Sequence, residues 1–153
     1  SAGTLADETF MDWLIYKLEN LKHTGTRIFF EFAEFNAVQH LELVKVFSAR
    51  MRQLGYGIGL DHFGRSFSNF GYLKSLKPDY VKIDAAFTRE IESEQSDAYF
   101  FIGALTSVAH SLDITVIAEG VENEEQFRLL KGQSIDGLQG FLIDRPSPLD
   151  IHE

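Results

Sequence analysis

The stretch from Pro78 to Glu119, PDYVKIDAAFTREIESEQSDAYFFIGALTSVAHSLDITVIAE, reads as strand, helix, strand. Asp79 to Ile83 reads as a short strand entered directly after Pro78, and Ile114 to Glu119 is rich in β-branched residues. Between them Ser96 to Leu112 is long enough, and apolar enough at helical spacing, to be a helix. A helix joining two such strands implies a βα unit in a parallel sheet.

The same rhythm extends in both directions. Upstream, Tyr56 to Phe63 reads as a strand and Phe67 to Leu76 as a partly helical connection. Val38 to Leu54 reads as a helix stopped by Gly55, and the Phe-rich, Ile-containing Arg27 to Phe35 as a buried strand. Ala6 to Lys22 carries Phe10, Trp13, Leu14, Tyr16, Leu18 and Leu21 near helical spacing, which predicts an amphipathic helix capped by Thr4 or Asp7 and ending near Gly25. Downstream, Asn123 to Lys131 is expected to be a helix, with Asn123 and Gln126 forming a capping box, and Ile135 to Ile143 the last strand. The fold class is therefore α/β, with about five parallel strands in a sheet either open or closed into a barrel. A complete (β/α)8 barrel needs eight strands and roughly 250 residues, so a barrel reading makes this chain part of one.

Composition excludes several functions. The 153 residues, 44% hydrophobic, suffice for one domain, and the absence of cysteine rules out disulfides, thiolate metal sites and thiol nucleophiles. The longest apolar runs, such as Phe100 to Leu105, are broken by residues like Gly103, and no signal peptide or spanning segment is predicted. A net charge of -9 is the wrong sign for gripping long nucleic acid. A small phosphate ligand is compatible with it if metal ions or local cations offset the acidic field.

Period-two alternation puts polar groups at the C-terminal ends of the strands: Lys82 and Asp84 opposite Val81 and Ile83, Glu119 opposite Val116 and Ala118, Asp61 with Gly59, and Gln139 with Gly137. That edge is where α/β folds collect ligands, so Glu31, Asp61, Lys82, Glu119, Glu122 and Gln139 are expected to converge. Carboxylates gathered without cysteine suit a hard divalent ion, Mg²⁺, Mn²⁺ or Ca²⁺, and a lysine beside them orients water or contacts a phosphate. Each residue also has a structural reading: Asp61 starting a turn with Gly64, Lys82 pairing with Asp84 or Asp79, Glu122 complementing the helix start at Asn123. Among the five histidines only His62 adjoins this edge; His23, His40, His110 and His152 read as surface or helix residues. Phe29, Phe30, Phe32 and Phe35 crowd one strand and read as core.

Phe30-Glu31-Phe32-Ala33-Glu34, Leu60-Asp61-His62-Phe63-Gly64, Val81-Lys82-Ile83-Asp84, Ala118-Glu119-Gly120-Val121-Glu122 and Gln139-Gly140-Phe141 follow one another in that order. Together they resemble the ordered signatures of EAL domains, with the likeness running from Ser1 to Pro148. The resemblance implies a modified (β/α)8 barrel that hydrolyses cyclic-di-GMP to linear pGpG with two Mg²⁺ or Mn²⁺ ions. By matching position it implies metal ligands at Glu31, Asp61 and Glu119, with His62 as an additional candidate, and catalytic roles for Lys82 and Glu119. It further implies ligand contacts at Arg65, Asp84, Glu122 and Gln139, and a loop anchor at Glu34.

Three departures shape the functional expectation. The family's paired aspartates are here Asp61 and His62, its Thr-Gly-Tyr-Ser-Ser loop is Arg65-Ser66-Phe67-Ser68-Asn69, and the Glu-Ala-Leu signature segment is missing. A neutral imidazole replaces an anionic oxygen poorly on Mg²⁺ and better on Mn²⁺, while Arg65 adds a guanidinium for phosphate. The expectation is a degenerate EAL domain, the C-terminal two-thirds of one over residues 1–153, that binds cyclic-di-GMP as a receptor with weak or no hydrolysis. The alternatives are a working phosphodiesterase and a protein-interaction module without nucleotide. Open strand edges predict a homo-oligomer or swapped dimer. The resemblance also suggests a GGDEF-EAL parent and a cytoplasmic location, including as the cytoplasmic part of an inner-membrane protein.

Overall fold

Four helices begin where the sequence supplies an oxygen to cap them. In the computed structural model, which describes residues 2–21, 27–66 and 70–145, Asp7 accepts from the Phe10 amide at 3.1 Å to open α1 (Glu8–Glu19). Ser96 accepts from Tyr99 at 3.3 Å to open α6 (Asp97–His110), and Asn123 from Gln126 at 2.9 Å to open α7 (Glu124–Lys131). Gln126 completes the cap from the other side by accepting the Glu122 amide at 2.9 Å. A 3-10 turn, Ala2–Ala6, precedes α1.

The strands are β1 (Phe29–Ala33), β2 (Gly57–Phe63), β3 (Tyr80–Ile83), β4 (Thr115–Ala118) and β5 (Gly137–Leu138). They are all parallel and lie in the order β1-β2-β3-β4-β5. Helices occupy every connection: α2 (Glu34–Gln39) and α3 (Leu41–Gln53), then α4 (Gly71–Leu76), then α5 (Ala85–Arg89) and α6, then α7. A doubly wound sheet reverses its strand order at a switch point; the unbroken sequential order here is that of a barrel wall.

The register sorts the side chains. Ile58, Leu60, Val81, Ile83, Val116 and Ala118 face the helices and are fully buried, together with Leu73, Ile102, Leu105 and Leu130 from the helices. Each such aliphatic side chain removed from water contributes about 1.5–3 kcal/mol, which makes this layer the main source of stability. On the opposite face Glu31 pairs with Gly59 and Gly59 with Tyr80, while Lys82 pairs with Ile117. The two glycines of β2 make room there: a Cβ on Gly57 would lie 2.2 Å from the Phe29 ring, and one on Gly59 2.4 Å from the Tyr80 ring. Phe29 and Tyr80 thus close edge to face over β2, ring centres 5.3 Å apart.

β2 carries one irregularity. Leu60 pairs with Val81 but Phe63 with Ile83, so three steps on β2 span two on β3. The extra residue is a β-bulge at Asp61-His62, with His62 in the left-handed region at φ 56°. Because of it Phe63 returns to the helix side, fully buried, while Asp61 and His62 both reach the open rim.

Several boundaries differ from the sequence reading. The single helix expected over Val38 to Leu54 is two, starting at Glu34 and interrupted at His40, so Glu34 and Phe35 leave the strand. A short helix, α5, follows Asp84, whose carboxylate caps it through the Ala86 amide at 2.8 Å. The last strand is not Ile135 to Ile143 but two residues, because Gly140 packs against the Val121 backbone so closely that a Cβ would sit 2.2 Å from the Val121 carbonyl oxygen. The chain turns there. α1 ends at Glu19 with Asn20 as its C-cap, short of the expected Lys22; Lys22 and Gly25 themselves, His23, the loop positions Phe67, Ser68 and Asn69, and Pro148 and His152 lie outside the described residues. No described helix is long and apolar enough to cross a membrane.

Candidate functional site

The C-terminal ends of β1 to β4 each deliver a charged side chain to one rim. Lys82 sits near its centre, with Nζ 2.6 Å from Glu31 Oε1 and 3.8 Å from Glu119 Oε1. The Lys82 side chain is only 15% exposed. Burial alone favours the neutral amine, but the hydrogen bond and charge of Glu31, with the charges of Glu119 and Asp61, outweigh it and raise the lysine pKa. Lys82 is therefore a fixed cation. Tyr80, one pleat below, donates its hydroxyl to the same Glu31 oxygen at 2.6 Å, and burial followed by that bond raises the phenol pKa. Two donors thus hold Glu31 Oε1.

Asp61, His62 and Glu119 form the group whose ligand atoms all lie within 4.8 Å of one another. Glu119 shows the cost of that grouping: burial first, then the neighbouring Asp61 charge, pushes its pKa up to about 7 despite the opposing pull of Lys82. An anionic pair of this kind is relieved by a cation, and two carboxylate oxygens with one imidazole nitrogen form a donor set that fits a divalent metal. The structure places Glu31 beside this trio, on Lys82 and Tyr80.

Around the centre stands a second tier. Asp84 is buried at the start of α5, where its Oδ2 lies 2.7 Å from His62 Nδ1 and 3.5 Å from Arg65 Nε. Burial works against its charge, but the Ala86 amide, His62 and Arg65 together lower its pKa. Glu34, fully buried, accepts from the Gly64 and Ser66 amides at 3.2 and 3.0 Å and from the Tyr72 hydroxyl. It ties the segment after the bulge to the top of β1 and to α4, as an anchor does. Glu122 is half-exposed and pairs with Arg89 at 3.6 Å, and the exposed Gln139 is held by its backbone, which bridges Ala118 and Val121 at 2.9 and 3.1 Å. These two line the edge and not the centre. Among Phe29, Phe30, Phe32 and Phe35, the first three pack against other rings, while Phe35 is exposed on α2.

Sequence reasoning missed Tyr80 and Arg89. Tyr80 was not singled out within its strand; the signal that could have found it is its place two residues before Lys82, on the same face of the same strand. Arg89 carried no motif, and only the α5 turn brings it to Glu122.

Comparison with known proteins gives the arrangement a lineage. The chain is 31% identical over 149 residues to the cyclic di-GMP phosphodiesterase PdeB of Shewanella oneidensis, covering 97% of this chain and 17% of that protein. Its fold superposes on the PaMucR phosphodiesterase in complex with c-di-GMP with a TM-score of 0.85 and 30% identity, covering 97% of this chain and 66% of that one. It superposes on the Vibrio cholerae LapD S helix-GGDEF-EAL protein bound to c-di-GMP with a TM-score of 0.83 and 29% identity, covering 94% of this chain and 35% of that one. The chain thus spans a small part of its curated relative and about two-thirds of the first of these structures. The TIM-barrel-like wall of five ordered parallel strands, the charged rim and a match over residues 1–146 agree: the chain belongs to the EAL domain family.

Proposed function

We propose that this domain binds cyclic-di-GMP at the rim formed by Glu31, Asp61, Lys82 and Glu119 and acts as a receptor with weak or no hydrolysis. The observation that carries the reading is the bulge of β2, which brings an imidazole, His62, beside Asp61 and Glu119 in place of a second carboxylate. Asp61, His62 and Glu119 would hold a divalent cation such as Mn²⁺ or Mg²⁺, which would supply positive charge to a phosphodiester. Lys82, kept protonated and aimed by Glu31, gives a phosphate oxygen a fixed cationic donor. Arg65, largely exposed and leaning on Asp84, offers a second. Glu34 fixes the backbone of residues 64 and 66 and so sets where Arg65 begins. Glu122 and Gln139 stand at the edge where a base or ribose would rest.

Working hydrolysis is the competing reading, favoured by one observation: Lys82 stands between Glu31 and Glu119, as a residue that positions an attacking water must. Calorimetry with cyclic-di-GMP, with and without Mn²⁺, and chromatography of the same mixtures separate the two. The receptor reading predicts heat of binding and intact nucleotide; pGpG at an ordinary enzymatic rate, abolished by Lys82→Ala, establishes hydrolysis, and no binding heat in either condition removes both. The reading extends to a GGDEF-EAL parent on the cytoplasmic side of a membrane, and to pairing of copies through the outer strands β1 and β5, which light scattering tests.

A further inference from the structure

We propose that His62 Nε2, oriented by the buried carboxylate of Asp84, is a direct metal donor that shifts this rim from Mg²⁺ to borderline transition ions such as Zn²⁺ and Mn²⁺. The inference rests on the reading of the rim as a cation site and adds which ion it selects and why.

The first observation is the Asp84–His62 pair. Asp84 is 7% exposed and has both oxygens engaged, Oδ1 by the Ala86 amide at 2.8 Å and Oδ2 by His62 Nδ1 at 2.7 Å. An ionised carboxylate only accepts hydrogen bonds, so Nδ1 donates to Asp84 and Nε2 is the ring nitrogen left to face a metal. A carboxylate behind one ring nitrogen, with the other turned toward a metal, is the usual way in which proteins fix a ligating histidine.

The second observation is where Nε2 goes. It lies 3.7 Å from Asp61 Oδ2, within the group completed by Glu119. Donors about 2.1 Å from an ion stand roughly 3–4.2 Å apart, so small side-chain rotations close the trio on one cation. The bulge makes this possible: a regular strand would turn residue 62 to the helix side, and the left-handed φ of 56° sends it to the rim instead. An all-oxygen trio suits Mg²⁺ and Ca²⁺; one imidazole in three donors moves preference toward Mn²⁺ and, more strongly, Zn²⁺.

The test uses the full chain and the chloride salts of Zn²⁺, Mn²⁺ and Mg²⁺ alone, without nucleotide. Calorimetry is expected to show Zn²⁺ bound at least about a hundredfold more tightly than Mg²⁺. Pulsed electron paramagnetic resonance of the Mn²⁺-loaded protein is expected to show coupling to a ¹⁴N nucleus. His62→Asp, a change that this φ accepts because aspartate tolerates the left-handed region, is expected to remove the coupling and narrow the Zn²⁺-to-Mg²⁺ ratio at least tenfold. Asp84→Ala is expected to weaken Zn²⁺ about 10–100-fold. Bound Mn²⁺ with no nitrogen coupling in the unmodified protein overturns the proposal, as does an absence of metal binding or a ratio unchanged in His62→Asp. The nitrogen measurement needs no variant, so misfolding of a mutant cannot mask the result. Nitrogen-coupled metal in a chain that shows no heat with cyclic-di-GMP supports the ion assignment while contradicting the proposed ligand.

Discussion

Replacing Glu34 by alanine should cost this domain a large part of its stability, and the structure says how much. The Glu34 carboxylate is fully buried and accepts three hydrogen bonds, from the Gly64 and Ser66 amides and the Tyr72 hydroxyl. Alanine orphans all three donors, and each buried donor left unpaired costs about 1–3 kcal/mol. Water can reach the partly buried Ser66 amide once the loop loosens, which lowers the sum, while the lost side-chain volume raises it. The expected net is about 4 kcal/mol, against a total of about 5–15 kcal/mol for a domain of this kind. Glutamine is the control. Its carbonyl can face the two amides and its NH₂ can donate to the Tyr72 oxygen, so only charge assistance is lost, about 1–2 kcal/mol. Urea denaturation followed by far-UV circular dichroism measures both variants, and hydrogen exchange at Gly64 and Ser66 reports whether the loop opens first. Equal destabilisation by alanine and glutamine, or a loss below about 1 kcal/mol for alanine, would refute the assigned hydrogen bonding.

Two further outcomes follow from the inner face and the rim. Gly59→Ala places a Cβ 2.4 Å from the Tyr80 ring, so it should destabilise the fold by about 2–3 kcal/mol; Tyr80→Phe, which loses only the bond to Glu31, should cost less than half of that by the same denaturation. The raised pKa of Glu119, about 7 beside Asp61, Lys82 and His62, means that the folded state holds a proton the unfolded chain has released. The stabilisation is complete below the ordinary carboxylate range and is lost as pH rises through 7. After screening by solvent, the metal-free domain should be about 1–2 kcal/mol more stable at pH 5.5 than at pH 8, and Glu119→Gln should remove that slope. An unchanged slope in the variant would contradict the assignment.

How far the sequence carried depends on what each residue type reveals. The β-branched run at 114–118 and the Asn123–Gln126 cap announce their elements through local chemistry, and the structure follows them closely. Lys82, Asp61 and Glu119 were legible because strand periodicity alone puts them at one edge. The bulge was not: an inserted residue leaves no mark in composition, and Asp61-His62-Phe63 reads equally well as regular alternation. Nor was the break at His40, since the residues around it are acceptable in a helix and tertiary packing decides the bend. Glu34 was assigned its anchoring role from resemblance alone, and only coordinates show that two amides and a phenol meet it. The two-residue β5 was overestimated because Phe141, Leu142 and Ile143 look like strand until Gly140 meets the Val121 backbone.

The most direct test of the central claim, that separate strands present one nucleotide-binding rim, is titration of the ¹⁵N-labelled chain with cyclic-di-GMP in the presence of Mg²⁺, following backbone amide shifts. The account predicts saturable changes concentrated at residues 31, 61–66, 82–86 and 119–122. Shifts confined to the opposite, N-terminal ends of the strands, or none at saturating nucleotide, would contradict it.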